Sequence, residues 1–340
     1  MPDFYVYAGL AGDTDPGRFW SAGLYRSRNG VEPWESLGQN GFTSEPHVLS
    51  VLVDPTRPGR VNVGTDDGIW RSDDHGTSWR RLNAPRPELG VWSLGLRPDN
   101  PSVMLAGYEP GTLYRSTDDG ETWHDLGLNV SYPAISDNPE LPKRPISIAF
   151  DRANPREVYV SLEIGGLLRS LDGGDTWVNL IDGLYVDEGS VDIHSVVVNP
   201  HHPGRLTVAT RYGTFRSEDR GEHWRNLQAP KLRPIGSYCR VLAYAPGDAD
   251  TLYLAAANDF DGDIGAVFVS RNDGASWERA DLSVPLKTPI FGLAVDATRP
   301  DLVFACSKIG QLGVSSDRGR TWTINPLPHA VGHVFALAAG

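Results

Sequence analysis

The stretch Ser116-Thr-Asp118-Asp-Gly120-Glu-Thr122-Trp123 decides the fold of this chain, because it recurs along the sequence at a nearly constant spacing. The gap-free copies end at Trp79, Trp123, Trp177, Trp224, Trp277 and Trp322, and a decayed copy ends at Trp34. Successive anchoring Trp residues lie 44 to 54 positions apart. A self-similar unit of roughly 45 residues predicts a repeat architecture, here with seven units.

Each copy has the chemistry of a tight β-hairpin turn. Its Asp or Asn can accept hydrogen bonds from backbone N–H groups two residues on, and its Gly supplies the positive φ of the turn. The Trp that follows can bury a large ring between neighbouring sheets. A catalytic or metal site needs one constellation rather than seven equal ones, so we assign the acidic turns to the scaffold.

The rest of each unit contains four short strands. An apolar strand such as Val48 to Val53 is followed by a second strand such as Glu157 to Ser161, a third such as Gly68 to Ser72, and a short outer strand beginning at the Trp. Four antiparallel strands in each of seven units predict an all-β, seven-bladed β-propeller, with residues 1–340 forming one domain.

The two ends of the sequence predict how the ring closes. Residues 333–339 have the pattern of a first strand, and residues 4–8 have that of a second strand. We expect the C-terminal strand to pair with the N-terminal strands and complete one blade, which removes an open sheet edge.

Composition narrows the partners and the location. The formal net charge is -12 and Lys/Arg residues are not clustered, which disfavours nucleic acid and anionic membranes as partners. The sequence has no apolar run of transmembrane length and no basic region followed by an apolar core at its start. With only Cys239 and Cys306 we expect no disulfide framework and a cytoplasmic location.

The recurring motif is similar to the Asp box, or BNR repeat, and nearly the whole chain resembles the Asp-box propellers. That superfamily includes sialidases, sortilin-type receptor domains, xyloglucan-degrading glycosidases and the photosystem II stability/assembly factor-like group. The order of strand, Asp-Pro turn, strand, Gly-Leu/Ile-aromatic-Arg-Ser and Asp box resembles the last group most. The resemblance implies the fold, but its members include hydrolases, receptors and assembly factors, so it implies no single function.

Positions that differ among otherwise equivalent repeats are free to serve function. The start of strand one and the loop between strands two and three should lie at the same end of the propeller, which we call the upper mouth. Polar, charged and aromatic residues occupy these positions, a composition typical of a ligand site. The predicted ligand-binding residues are Trp92, Tyr108, Glu109, Arg144, Arg211, Tyr212, Tyr238, Arg240, Phe291 and Lys308.

One alternative for the mouth is a histidine site. His47, His194 and His333 begin the first strands of three units and could bind a divalent metal or act as an acid/base cluster with Glu109 or Glu163. No local metal-binding spacing supports this alternative, and such histidines are more often exposed or satisfied within a core.

A second alternative is a glycosidase-like carboxylate pair. Asp66, Glu109 and Glu163 supply carboxylates, and glycosidic cleavage needs an acid together with a base or nucleophile. Trp92, Tyr108 and Tyr212 would be the aromatic platforms for sugar rings. Acids at loop tips of an acidic protein are, however, commonly only solvated.

A sialidase site, which needs three arginines on a carboxylate, is disfavoured because the Arg-Ile-Pro element of that family is absent. The acidic loop Asp259 to Gly265 resembles a calcium loop, but its twelfth position is Ser270 of a hairpin, so we expect a solvated loop tip. The connectors 126–144 and 180–192 are expected to reach the upper face and shape the mouth.

The sequence therefore favours a propeller that binds a small molecule, carbohydrate or protein at its upper mouth. The alternative is a hydrolase or lyase acting at the same place, with or without a divalent metal. Its candidate catalytic residues are His47, His194, His333, Glu163 and Asp66, and the candidate metal ligands are the same three histidines.

Overall fold

The computed structural model describes residues 3–12, 22–38, 41–42, 46–128, 143–180, 192–328 and 333–340. These residues form seven four-stranded antiparallel sheets arranged as the blades of a β-propeller, as the sequence predicts. The described residues form no helix that is long and apolar enough to cross a membrane. Both cysteines are buried and free of disulfide bonds.

The blades follow one another along the chain, each running from an inner to an outer strand. Blade 1 contains β1 (Tyr5–Ala11), β2 (Gly23–Arg28) and β3 (Glu35–Ser36). Blade 2 contains β4 (Val48–Val53), β5 (Val61–Thr65), β6 (Gly68–Ser72) and β7 (Arg80–Arg81). Blade 3 contains β8 (Val91–Arg97), β9 (Asn100–Tyr108), β10 (Thr112–Ser116) and β11 (His124–Asp125). Blade 4 contains β12 (Arg144–Phe150), β13 (Val158–Glu163), β14 (Gly166–Ser170) and β15 (Val178–Asn179).

The remaining strands repeat this pattern. Blade 5 contains β16 (Ile193–Val198), β17 (Leu206–Thr210), β18 (Gly213–Ser217) and β19 (Arg225–Asn226). Blade 6 contains β20 (Tyr238–Tyr244), β21 (Leu252–Ala257), β22 (Gly265–Ser270) and β23 (Glu278–Arg279). Blade 7 contains β24 (Ile290–Val295), β25 (Val303–Ser307), β26 (Leu312–Ser315) and β27 (Thr323–Ile324), and the last strand is β28 (His333–Ala339).

Blade 1 closes the ring. Its sheet order is β28-β1-β2-β3, so the inner strand comes from the C-terminal end of the sequence and pairs antiparallel with β1. The inner strand of each blade contacts that of the next, from β28 through β4, β8, β12, β16, β20 and β24 back to β28. The predicted closure is confirmed.

The recurring hairpins connect strands three and four at the end of the blades opposite the upper mouth. In blade 3, Ser116 Oγ accepts the N–H of Gly120 at 2.8 Å, and Asp118 Oδ1 accepts the N–H of Thr122 at 2.8 Å. The main partner of the Asp is therefore four residues on, not two as the turn chemistry alone suggested. The Trp123 indole N–H donates to the Gly120 carbonyl at 3.1 Å, which fixes the ring against its own turn.

Two buried arginines on strand three tie their blades to the hairpin of the next blade. Arg71, whose side chain is fully buried, donates to the Asn62 amide oxygen at 2.8 Å within its blade and to the Asp119 carbonyl at 2.8 Å in the next blade. Arg216 binds Asp273 in the same way. These contacts span blade interfaces, so they stabilise the ring rather than one sheet.

A β-bulge interrupts every inner strand near its upper end. In the ladder of β8 with β9, for example, Val91 pairs with Tyr108 and Ser93 pairs with Gly107, so Trp92 has no partner. The bulged residues of the seven inner strands are Leu49, Trp92, Ile146, His194, Arg240, Phe291 and Phe335. A bulge re-aims the side chain it carries, and the contacts among these residues, given below, bring them together at the axis.

Candidate functional site

The upper rim of the ring is built from seven backbone-paired positions, one in each blade. The first residue of the inner strand region pairs with the residue that ends strand two. The pairs are His47 with Asp66, Gly90 with Glu109, Arg144 with Glu163, Asp192 with Arg211, Tyr238 with Ala257, Pro289 with Lys308, and His333 with Ala11. The predicted upper-mouth positions therefore do lie at one end of the propeller.

Tyr108 is the exception among the predicted ligand-binding residues. It lies one residue before the rim position held by Glu109, and because successive strand residues face opposite sides its ring is directed into the blade core. The ring is fully buried and packs edge-on against Tyr114, with centroids 5.2 Å apart. The prediction that Tyr108 contacts a ligand is wrong for this geometry.

Four charged residues form a continuous arc on one side of the mouth. Glu109 Oε2 accepts the Trp92 indole N–H and the Arg144 Nε–H, both at 3.0 Å. Arg144 Nη1 is 3.3 Å from Glu163 Oε2, and Arg240 Nη1 is 3.1 Å from Glu163 Oε1. We call Glu109, Arg144, Glu163 and Arg240 the charged arc.

The charged arc has a more exposed outer pair and a more buried inner pair. The side chains of Glu109 and Arg144 are 34% and 29% exposed, whereas those of Glu163 and Arg240 are 13% and 9% exposed. Burial alone would lower the pKa of Arg240, but Tyr238, Glu163 and Asp192 raise it above its usual value. The inner pair is thus largely withdrawn from solvent, and the outer pair is the part that a ligand can reach.

Asp192 and His194 lie beside the inner end of this arc. The His194 side chain is fully buried, and its Nδ1 is 2.7 Å from the Cys239 carbonyl oxygen. Its Nε2 lies 3.0 Å from Asp192 Oδ1, yet the two atoms are not aligned as a hydrogen bond, and neither has another such partner among the described residues. Burial would raise the pKa of Asp192, but His194, Arg240 and Arg211 hold it below its usual value.

Aromatic rings line the other side of the mouth. Trp92 and Phe335 meet edge-on at 6.1 Å, Phe335 meets Phe291 at 5.7 Å, and Phe291 meets Phe260 at 5.7 Å. Phe260 also contacts Tyr238 at 6.1 Å. We call these five residues the aromatic arc. The Arg144 guanidinium lies over the Trp92 ring at 4.2 Å, and that of Arg240 over Phe291 at 4.9 Å, so cations join the two arcs.

The three predicted histidines do not form one cluster. His47 Nδ1 is 3.9 Å from Asp66 Oδ2, on the rim of blade 2, whereas His194 is buried in blade 5. Within the described ranges, the one group of three or more His, Cys, Asp or Glu residues placed to share an ion is Glu163, Asp192 and His194. A metal site made by His47, His194 and His333 is therefore not supported by this geometry.

The acidic loop after β21 closes over the mouth instead of forming a calcium loop. Asp259 binds Arg233, Asp261 binds the Lys308 ammonium at 2.7 Å, and Asp263 binds Asn258, so the three acids face different partners. Lys308 Nζ also lies 4.5 Å from the centre of the Phe260 ring.

The remaining predicted residues lie at the edge of the mouth. Arg211 and Tyr212 are partly buried. Arg233 lies over the Tyr212 ring at 5.8 Å and donates to the Arg211 carbonyl. The connectors expected to shape the mouth fall largely on residues 129–142 and 181–191, outside the described part of the chain.

Three residues of the site were not among the predicted site residues. Asp192 carried a partial signal, since it is an acid two positions before His194 at the start of the same inner strand. Phe335 carried one too, because it shares the repeat position of Trp92. Phe260 lay in a loop that was interpreted as solvated, and no repeat position indicated that its ring would fold back over the axis.

A crevice of about 230 Å³ lies away from the mouth, between blades 7 and 1, and is lined by residues that include Asn29, Arg299 and Trp322. Its walls carry one charged group, Arg299, which donates to Asn29 at 3.1 Å. The mouth has more charged and aromatic side chains than this crevice, so we place the candidate site at the mouth.

The charges at the mouth suit binding better than proton transfer. Both carboxylate oxygens of Glu163 and one of Glu109 contact guanidinium groups. Burial raises the pKa of Tyr238 well above its usual value, so its phenol stays protonated. Asp66 contacts His47 rather than an arginine, and its side chain is 49% exposed. The carboxylates of the charged arc are therefore held by cations, whereas the carboxylate of Asp66 lies open to solvent on the rim.

Comparison with curated proteins finds xyloglucanases. No protein family model matches the chain. A probable oligoxyloglucan-reducing end-specific xyloglucanase from Neosartorya fischeri is 24% identical over 317 residues, which cover 77% of this chain and 38% of that protein. All six curated relatives, at 21–28% identity, are described as xyloglucanases. The chain spans less than half the length of these relatives.

Solved structures show the same fold in proteins with different roles. The GH74 enzyme of Niastella koreensis superposes with a TM-score of 0.66 at 19% identity, covering 82% of this chain and 45% of that one. YCF48 bound to a D1 peptide superposes with a TM-score of 0.55 at 18% identity, covering 82% of each chain. At these identities the likeness establishes the seven-bladed β-propeller fold, and the role of this chain has to be argued from its own mouth.

Proposed function

We propose that this chain is a carbohydrate-binding propeller whose ligand sits at the upper mouth between the charged arc and the aromatic arc. The observation that carries the proposal is the division of one mouth into these two halves. A sugar ring has an apolar C–H face and a rim of hydroxyl groups, so it matches aromatic rings on one side and carboxylates and guanidinium groups on the other.

The partly exposed members of the two arcs define the expected contacts. Trp92 is held in place by its indole hydrogen bond to Glu109 and by the guanidinium over its ring, so its orientation is fixed before a ligand arrives. Glu109 has a second carboxylate oxygen available to accept from a sugar hydroxyl. The xyloglucanase relatives support a β-glucan such as xyloglucan as the first ligand to test.

Hydrolysis of that carbohydrate is the second candidate, favoured by the names of the relatives. The carboxylates of Glu163 and Asp192 have oxygens within 4.8 Å of each other, near the roughly 5–5.5 Å separation of retaining glycosidases. Both groups are buried and paired with cations, however, and this chain corresponds to only part of each relative. Binding is therefore the better-supported function of the residues described.

The test is isothermal titration calorimetry, in which xyloglucan oligosaccharides and other β-glucan oligosaccharides are titrated into the protein. We expect Trp92→Ala and Glu109→Gln each to weaken binding by about tenfold or more, which corresponds to about 1.4 kcal/mol. The matched control is Glu121→Gln, because Glu121 lies in the same blade at the opposite end and, among the described residues, its carboxylate pairs with exposed Arg80. Equal affinity of Glu109→Gln and Glu121→Gln would reject the mouth as the binding site.

The same oligosaccharides test hydrolysis when incubated with the protein and analysed for shorter products. If the mouth is catalytic, Glu163→Gln and Asp192→Asn should each abolish turnover while Glu121→Gln retains it. Binding without any product would leave the chain as a binding propeller, and turnover that survives both substitutions would exclude these carboxylates from the chemistry.

A further inference from the structure

The strongest unexplained feature is the contact between two buried acceptor atoms. The Cys239 carbonyl oxygen can only accept, so the His194 Nδ1 at 2.7 Å must carry the proton that it donates. In the neutral ring His194 Nε2 is then a bare lone pair. That lone pair lies 3.0 Å from Asp192 Oδ1, and neither atom has a hydrogen-bond partner among the described residues.

Two buried acceptors at this distance repel each other unless a proton or a metal ion lies between them. Ligand atoms at right angles around one ion, each about 2.1 Å from it, are about 3.0 Å apart. The separation of His194 Nε2 and Asp192 Oδ1 therefore equals one edge of an octahedral coordination sphere. A backbone carbonyl that fixes the distal imidazole nitrogen is also the usual support of a metal-binding histidine.

Glu163 supplies a third donor. One of its carboxylate oxygens lies with the other two atoms in a group whose members are all within 4.8 Å of one another. Two ligands opposite each other on one ion are about 4.2 Å apart, so Glu163 would complete the set after a small side-chain rotation. Glu163 also binds Arg144 and Arg240, so the rotation would exchange part of these contacts for the ion, and Arg144 keeps Glu109 as a second carboxylate partner.

We propose that Glu163, Asp192 and His194 form a divalent metal site beneath the upper mouth. Two carboxylate oxygens and one imidazole nitrogen with a right-angled edge suit an octahedral ion such as Mn²⁺ better than tetrahedral Zn²⁺. The site differs from the three-histidine site expected from sequence, since it uses only His194 of that set. It shares Glu163 with the charged arc but does not rest on carbohydrate binding, because the ion alone is the ligand that is tested.

The test uses the full chain, stripped with a chelator and titrated with Mn²⁺ by calorimetry and by electron paramagnetic resonance. We expect one Mn²⁺ per chain, and at least a tenfold loss of affinity in Asp192→Asn and in His194→Gln. The matched control is His47→Gln, which removes the other histidine that faces a carboxylate at the mouth and should leave Mn²⁺ affinity unchanged.

Two further measurements keep the proposal falsifiable. Circular dichroism of the variants shows whether they fold, and Asp192→Asn, which preserves side-chain shape, replaces His194→Gln if the latter does not. Nitrogen-15 spectra report the protonation of His194. Absence of Mn²⁺ binding together with a ring protonated on both nitrogens would overturn the proposal, because the proton on Nε2 would then be the cation beside Asp192. Binding that persists in Asp192→Asn would also overturn it.

Discussion

The hairpin end and the mouth end of this propeller are built from the same repeat and have opposite designs. At the hairpin end, blade after blade makes the same bonds, and Ser116, Asp118 and Gly120 of blade 3 have equivalents with the same partners in blades 2 and 4. At the mouth, neighbouring blades contribute Trp, Arg, His and Phe at one repeat position. The difference indicates that the hairpin end serves the scaffold, whereas the mouth end is free to determine which ligand binds.

The largest expected effect on stability is at a buried interblade arginine. Arg71→Ala should lower the free energy of unfolding by about 3 kcal/mol, because it leaves the buried Asn62 amide without its partner and opens a cavity at the interface. Arg80→Ala, which breaks an exposed pair with Glu121, should cost less than about 1 kcal/mol. Urea unfolding monitored by Trp fluorescence measures both, and equal costs would show that the hairpin end does not hold the ring together.

A smaller effect is expected at the hairpin glycine. Gly120 has a φ of 84°, and a Cβ there would lie 2.8 Å from Leu82 Cδ1 of the previous blade. Gly120→Ala should therefore cost about 2 kcal/mol, from backbone strain together with the displaced leucine. Gly127 has a φ of 61° and open space where an added Cβ would lie, so a substitution there reports the backbone strain alone. Gly127→Ala should therefore cost about 1 kcal/mol. Thermal unfolding of the two variants tests whether interblade packing adds to the strain.

The smallest effect appears only in acid. The Thr122 hydroxyl and backbone N–H lower the pKa of Asp118 to about 2, and Thr321 does the same for Asp317. Because an unfolded Asp has a pKa of about 3.9, these carboxylates stabilise the fold above pH about 4 and lose that contribution as the pH falls towards 2.

The chain contains its own control for this pH dependence. Asn272 occupies the Asp position of blade 6 and still accepts the Ser276 N–H at 2.8 Å, so an amide supports the turn without titrating. Asp118→Asn should flatten the dependence of unfolding on pH between 4 and 2, and Asn272→Asp should steepen it. Urea midpoints measured across this range check both, and parallel curves for all three proteins would contradict the assignment.

The contrast between the two ends also explains how far the sequence could be interpreted. The seven blades, their strand order and the pairing of β28 with β1 follow from equivalent residues at equivalent spacings, and the structure confirms them. The residues of the mouth could be assigned to one face by the same reasoning, because a position in one repeat predicts its position in the others.

What could not be predicted depends on loop length and on contacts between blades. Strands two and three are joined through Asp66 and Asp67 in blade 2 but through three residues, 109–111, in blade 3. Spacing alone therefore does not fix which residue of blade 3 takes the rim position, and placing it at Tyr108 instead of Glu109 assigns a ring that lies on the other face of the sheet. The approach of Asp192 to His194 depends on how the bulge turns that ring, and no sequence pattern records this angle.

The bulges have a consequence for how such a protein can change. A residue outside the ladder holds no backbone pairing in place, so exchanging its side chain leaves the alignment of the sheet intact. The side chains at the seven bulged positions can therefore be exchanged independently on one backbone, during gene diversification or in a designed library. A propeller with this backbone can acquire a new ligand while the residues that determine its fold stay the same.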